Sequence, residues 1–314
     1  MSLMVRCGSA IVAVGTLVLL TACGGHGGGP PSTTSSSSTS ASATPSPKGP
    51  APTGHISYGR FENGAVSMFT ANADGSGVKA LLPGSGGEGP KWSPDGSQLA
   101  VTATNHGDLV GSVVRADGTH QHVFGHPAGA PNLPCNVWSP DAKRMACEGF
   151  DDTHPERAGV YTVSARDGQD LIRVTRHRDS PCSYSADGKR ILFLRLNPDD
   201  EEHDQLMSVN VDGSDAKLVT QEKVGLSCDW SPDGETILSE VDGSLVLIDP
   251  AGRAKKIPLT GSAHRGAFSP NGSQIIFSLK LDRQEDIYLV RTDGSELTQI
   301  TDTGADEEFG DWGP

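Results

Sequence analysis

The sequence predicts an all-β fold, a six-bladed β-propeller of four-stranded antiparallel blades whose ring is closed by the C-terminal strand joining the N-terminal blade. Three observations predict it. A five-residue turn motif recurs at near-constant spacing, each copy is followed by a strand and a second turn, and 39 glycines and 21 prolines punctuate the 314 residues. The motif reads Trp92-Ser-Pro-Asp-Gly, Trp138-Ser-Pro-Asp-Ala, Tyr184-Ser-Ala-Asp-Gly, Trp230-Ser-Pro-Asp-Gly and Phe268-Ser-Pro-Asn-Gly, with a truncated sixth copy, Trp312-Gly-Pro. Its steps of 46, 46, 46, 38 and 44 residues match one four-stranded blade per repeat.

From the N-terminus, Arg6 precedes an apolar run, Ile11 to Leu20, which ends at Thr21-Ala22-Cys23 and then turns to glycine. Residues 1–22 read as a signal peptide, because the run is too short to span a bilayer and lacks a basic flank after it. Leu20-Thr21-Ala22-Cys23 resembles the bacterial lipobox, which implies cleavage before Cys23 and a diacylglycerol on its thiol. Residues 23–53 are then a lipidated cysteine and a Gly/Ser/Thr/Pro tether with no apolar period, unable to offset the entropy of ordering itself. The expectation is an exported protein, lipid-anchored to the outer leaflet of the cytoplasmic membrane or to the outer membrane.

The propeller occupies 54–314. In the motif the aromatic ends a strand, proline presets the first turn dihedral, and Asp-Gly or Asn-Gly supplies the special dihedrals that follow. The next strand carries Leu99 and Val101, Met145 and Cys147, Ile191 and Phe193, Ile237 and Ser239, or Ile275 and Phe277. Third strands such as Val160-Tyr-Thr-Val, Leu206-Met-Ser-Val and Ile287-Tyr-Leu-Val run into Asp-Gly turns, and fourth strands end at Val174-Thr175, Val219-Thr220 and Ile300-Thr301. His55 to Tyr58, Val66 to Thr70 and Val78 to Leu82 supply the second, third and fourth strands that the Trp312 copy lacks, so the last strand is predicted to close the ring against them.

Together these features, covering Gly54 to Pro314, resemble the TolB-type propeller repeat, whose pattern pairs a Trp-Ser-Pro-Asp-Gly turn with a following Asp-Gly turn and a Leu-Thr strand. The resemblance implies that turns after strands one and three share one face and that loops after strands two and four share the other. It also implies a partner role among envelope proteins. TolB itself carries an extra N-terminal domain absent here and is not lipidated, so its specific role is not transferred.

On the irregular face of unequal loops stand Asp151, Asp152, Asp199, Asp200, Glu201, Glu202, Asp204, Asp282, Glu285, Asp302, Asp306, Glu307 and Glu308. They form a candidate partner-binding face for a basic envelope protein or peptide, with Ca²⁺ as a lesser alternative and plain solvated charge as the bland one. Formal net charge is -14, which disfavours nucleic-acid binding. His120 and His122, with His126 nearby, occupy one side of a predicted outer strand, a spacing that can chelate a transition metal, although no cysteine or carboxylate adjoins to complete a shell.

Cys135, Cys147, Cys182 and Cys228 are an even number of thiols in an oxidising location. If Trp138 faces Arg144 across its hairpin, Cys135 faces Cys147 within disulfide range. Cys182 and Cys228 each precede their blade's aromatic by two residues, on adjacent inner strands, and are a second candidate pair. No Gly-x-Ser-x-Gly elbow, Walker loop or His-Glu-x-x-His helix occurs. The chain is therefore expected to be a monomeric, non-catalytic binding or scaffold module without a cofactor. The alternative is an enzyme or small-ligand receptor using the channel mouth.

Overall fold

The computed structural model describes residues 52–314, apart from 63, 83–88, 126, 128, 197–203 and 226. Cys23, His126 and the loop residues Asp199, Asp200, Glu201 and Glu202 therefore lie outside the described residues. Twenty-four strands run in chain order. The first blade contributes β1 (His55–Glu62), β2 (Ala65–Asn72) and β3 (Lys79–Leu82). The second is β4 (Lys91–Trp92), β5 (Gln98–Asn105), β6 (Asp108–Arg115) and β7 (His122–Val123). The third is β8 (Cys135–Trp138), β9 (Arg144–Gly149), β10 (Gly159–Ser164) and β11 (Ile172–Arg173), with a 3₁₀ turn, Pro155–Arg157, before β10. The fourth is β12 (Asp179–Tyr184), β13 (Arg190–Arg195), β14 (Gln205–Asn210) and β15 (Lys217–Leu218). The fifth is β16 (Cys228–Trp230), β17 (Ile237–Val241), β18 (Ser244–Ile248) and β19 (Ala254–Lys256). The sixth is β20 (Ser262–Phe268), β21 (Gln274–Leu281), β22 (Gln284–Arg291) and β23 (Thr298–Gln299). The last strand, β24 (Asp306–Gly313), returns to the first blade, whose order is β24-β1-β2-β3.

Each turn motif folds around its serine. Ser93, Ser139, Ser185, Ser231 and Ser269 donate their hydroxyls to the Asp or Asn two residues on at 2.6–2.9 Å. The same hydroxyls accept the backbone N–H five residues on at 2.9–3.0 Å. The serine thereby satisfies its own turn and starts the second strand in register. The fifth residue of the motif is left-handed in every copy: glycine at Gly96, Gly188, Gly234 and Gly272, but alanine at Ala142, with φ 56°. These turn aspartates sit below the usual carboxylate range, held there chiefly by the serine hydroxyl.

Middle strands are covered on both faces, which explains their continuous rather than alternating apolar residues. In β13, Ile191 and Phe193 pack with Val137 and Val160 of the third blade, while Leu192 and Leu194 pack with Val246 and Ile248 of the fifth. Each such fully buried side chain contributes about 1.5–3 kcal/mol. The outermost strands β7, β11, β15 and β23 are two residues long, too short to template pairing with another chain.

Closure depends on β24, which pairs with β1 from His55 opposite Gly313 to Phe61 opposite Asp306, shifting register between Tyr58 and Gly59. Gly54, at φ 95°, lies where a Cβ would come within 2.3 Å of the Gly313 carbonyl oxygen. The Trp312 indole N–H donates to the Thr53 carbonyl at 2.8 Å. Both ends of the ring are thus joined at one corner.

Cys135 and Cys147 form a disulfide within the third blade, and Cys182 and Cys228 form one between the inner strands of the fourth and fifth blades. The register that was expected to bring the first pair together differs in one respect. Trp138 stands opposite Met145, not Arg144, because the turn closes on Ser139 and Arg144; the shift between Cys135 and Val137 returns Cys135 to Cys147. His120 and His122 do not share a strand face either: His120 is left-handed (φ 54°) and precedes β7, and its ring bonds Arg115 and Thr119.

Replacing Ala142 by glycine should stabilise the fold by about 0.5–1 kcal/mol, since it removes the Cβ penalty at a left-handed position; urea unfolding midpoints check it, and an unchanged or lower midpoint contradicts it. Removing residues 309–314 should abolish cooperative unfolding of the whole ring. In the chain-entropy account, Cys182→Ala with Cys228→Ala should cost about 4 kcal/mol, against about 3 for the Cys135 and Cys147 pair, because the first closes the longer loop.

Candidate binding site at the channel mouth

The six inner strands end together on the face of the tight turns, around a recess of about 330 Å³. Its wall is built by the motif: the terminal aromatics Trp92, Trp138, Tyr184, Trp230, Phe268 and Trp312, and prolines of the following turns. The residue before each aromatic points between blades. At these positions stand Lys91, Val137, Ser183, Asp229, Ala267 and Asp311.

Three of these side chains hydrogen-bond the next blade's backbone. Asp311 Oδ2 accepts the Trp92 N–H at 2.7 Å, Ser183 Oγ accepts the Trp230 N–H at 3.3 Å, and Asp229 Oδ2 accepts the Phe268 N–H at 3.0 Å. Ser183 also donates to Asp229 Oδ1 at 2.9 Å, Lys91 Nζ lies 3.4 Å from Asp311 Oδ1, and the Trp138 indole donates to the Lys91 carbonyl at 3.1 Å. The Cys182–Cys228 bridge ties the same two inner strands one step deeper. The mouth is thus a ring of inter-blade clasps as well as a recess. Among the described residues the buried Trp92 indole nitrogen has no hydrogen-bond partner.

Asp229 is a perturbed carboxyl here, pushed up to about 6. Burial is the main cause and the Asp311 charge adds to it, while Lys91, the Phe268 N–H and the Ser183 hydroxyl oppose it. Protein surrounds the carboxyl even though part of its surface remains open to the recess. Sequence reasoning missed Lys91, Ser183, Asp229 and Asp311. The signal was present, polar residues one position before a motif aromatic, but it carries meaning only once that position is known to face the neighbouring blade.

The acidic residues of the irregular face divide. Asp204, Glu285 and Glu307 are buried. Asp151 lies 3.3 Å from Arg157 and caps its own loop; the Thr153 hydroxyl first, then the Thr153 and His154 N–H groups, hold it below the usual range. Glu308 pairs with Arg265 at 3.1 Å, Glu307 with Arg60 at 2.8 Å and Glu285 with His264 at 2.6 Å. Burial opposes charge on His264, but the bond and charge of Glu285 and the charge of Glu240 outweigh it, so the imidazole is raised. Asp152, Asp282, Asp302 and Asp306 are exposed. Among the described residues no group of three or more His, Cys, Asp or Glu could hold a metal ion.

Because the folded-state value of Asp229 lies above the ordinary one, its charged form costs stability above about pH 6, and the cost disappears as pH falls to about 4. Asp229→Asn should therefore be more stable than the parent at pH 7.5, by about 1–3 kcal/mol, with most of that advantage lost at pH 4.5. Urea midpoints at the two pH values check this; a variant destabilised equally at both would contradict it.

No curated protein sequence matches the chain. Among solved structures it is similar to TolB from Acinetobacter baumannii (TM-score 0.69, 19% identity), covering 82% of this chain and 66% of that one. A TolB structure from Agrobacterium tumefaciens (TM-score 0.63, 16% identity) is matched over 84% of this chain and 99% of that one. An oligogalacturonate lyase in complex with manganese (TM-score 0.54, 14% identity) covers 80% of this chain and 75% of that one. At these identities the likeness shows the fold. The model of the TolB beta propeller domain matches residues 27–263, about three quarters of the chain, and the chain belongs to that family.

Proposed function

We propose that the chain is a non-catalytic binding module of the cell envelope that receives an extended segment of a protein partner in the recess at the channel mouth. The observation that carries this reading is the composition of the recess. Several of its charged and hydroxyl groups are already committed to clasping neighbouring blades, and its open surface includes the exposed prolines of five turns and the half-buried Trp138 and Trp230. Such a surface suits apolar contact along a peptide better than proton transfer or nucleophilic attack.

The same reading places the protein on a membrane. Cys23 would carry the lipid, and 28 residues separate it from Pro52, a stretch that spans at most about 100 Å when fully extended. The chain enters the ring at Thr53, beside Trp312, so the leash joins the face that bears the recess. A partner held there would be kept within that distance of the lipid surface.

A second reading, a basic partner docking on the irregular face, is favoured by the exposed Asp152, Asp282, Asp302 and Asp306 and the net charge of -14. Photo-crosslinking residues introduced at Pro140 and Pro270 in the recess wall, and at Asp152 and Asp282 opposite, separate the two. The same protein captured from both recess positions and from neither opposite position is the expected result, and the reverse pattern transfers the assignment to the acidic face. Cys23→Ala should move the protein from the membrane fraction to the soluble one; retention on the membrane would refute the lipid anchor.

A further inference from the structure

The recess at the channel mouth carries one more carboxylate than cations. Among the described residues that line it, the charged side chains are Lys91, Asp229 and Asp311. Lys91 Nζ stands 3.4 Å from Asp311 Oδ1, and Asp311 Oδ2 takes the Trp92 N–H at 2.7 Å. Asp229 is served differently. Its Oδ1 accepts the Ser183 hydroxyl at 2.9 Å and its Oδ2 the Phe268 N–H at 3.0 Å. Both donors are neutral, and each oxygen has a second lone pair for a further donor.

The wall around Asp229 suits a positive guest. Trp230 follows it in sequence, Phe268 receives its hydrogen bond, and both rings line the recess. A carboxylate set among aromatic rings attracts an ammonium or guanidinium group twice over, by ion pairing and by the ring quadrupole. The ring of clasps is also incomplete. Opposite Trp138 and Tyr184 the clasping position of the preceding blade is filled by Lys91 and Val137, whose side chains have no acceptor atom. The Ser139 and Ser185 N–H groups bond across their own turns to Arg144 and Arg190, so the N–H one residue earlier lies on the opposite edge of the strand. Main-chain carbonyls of an extended segment have the chemistry to take the place of the missing clasps.

We infer, resting on the peptide reading of the recess, that it selects a segment carrying a lysine or arginine, whose positive group is seated at Asp229 beside the Trp230 and Phe268 rings and whose carbonyls face the Trp138 and Tyr184 N–H groups. Asp311 does not compete for that cation, because Lys91 already lies against it. A segment bearing glutamate at the same place brings a third carboxylate to a wall that holds a single ammonium, and is rejected by like charge. The exposed Asp152 and Asp282 of the irregular face offer a basic segment less, since water and salt screen an exposed pair more than one formed at an enclosed carboxyl. The basic residue is therefore read at the mouth.

All 4 tryptophans of the chain line the recess, so tryptophan emission of the full chain reads its occupancy. At about pH 7.5, where Asp229 is ionised, the chain is titrated with acetyl-Ala-Pro-Lys-Pro-Ala-amide and with its counterparts carrying norleucine or glutamate in place of lysine. The lysine peptide should bind about tenfold more tightly than the norleucine peptide, as a charge-assisted hydrogen bond implies, and the glutamate peptide most weakly. In Asp229→Asn the lysine and norleucine peptides should come within about twofold of each other, a ratio that a purely structural role for Asp229 would leave unchanged. Equal binding of the two by the parent, or a tenfold preference that survives in Asp229→Asn, overturns the inference and leaves the peptide site standing. If none of the three shifts the emission, the peptide reading and the basic residue fall together. Should Asp229→Asn fail to fold, the lysine-to-norleucine ratio of the parent decides alone.

Discussion

Everything in this propeller depends on the pairing of β24 with β1, because a ring of blades has no core of its own until the last strand meets the first blade. Each interface buries apolar residues from two neighbouring blades, as β13 does toward the third and the fifth. A ring left open would expose two such faces at once. The seam is held by a register-shifted ladder, the Trp312 clasp to Thr53, a glycine at Gly54 where no Cβ fits, and the Arg60 and Glu307 pair inside it.

Titratable groups are arranged in two opposing sets. The turn aspartates, exposed and bonded by serine hydroxyls and backbone N–H groups, are depressed, so the structure they support weakens on acidification. Asp229, Glu148 and Asp286 are raised, burial being the first cause at each, so their charged forms cost stability as pH rises. Local turn chemistry governs the first set, and burial governs the second. Acid and alkali therefore act on different parts of the molecule.

The same crowding shifts attention from the irregular face to the mouth. Several carboxylates that look like a free acidic rim in the sequence are buried or paired with arginine or histidine, Glu307 and Glu285 within their own blades and Glu308 with Arg265 of the neighbouring one. The tight-turn face looks monotonous in the sequence because its turns repeat. In three dimensions the repetition is what makes a recess, since six aromatics and five prolines line it together.

By itself the sequence determined the blade count, the strand order, the closure by the C-terminal strand and the turn chemistry, because each depends on a pattern that recurs within about 46 residues. It also brought Cys135 to Cys147, although through a register that the β8 irregularity corrects. Tertiary structure alone decided which polar residues clasp adjacent blades and that Asp229 and Asp311 line a mouth. Those contacts join residues in different blades, and no local periodicity encodes which side chain of one inner strand will face the next.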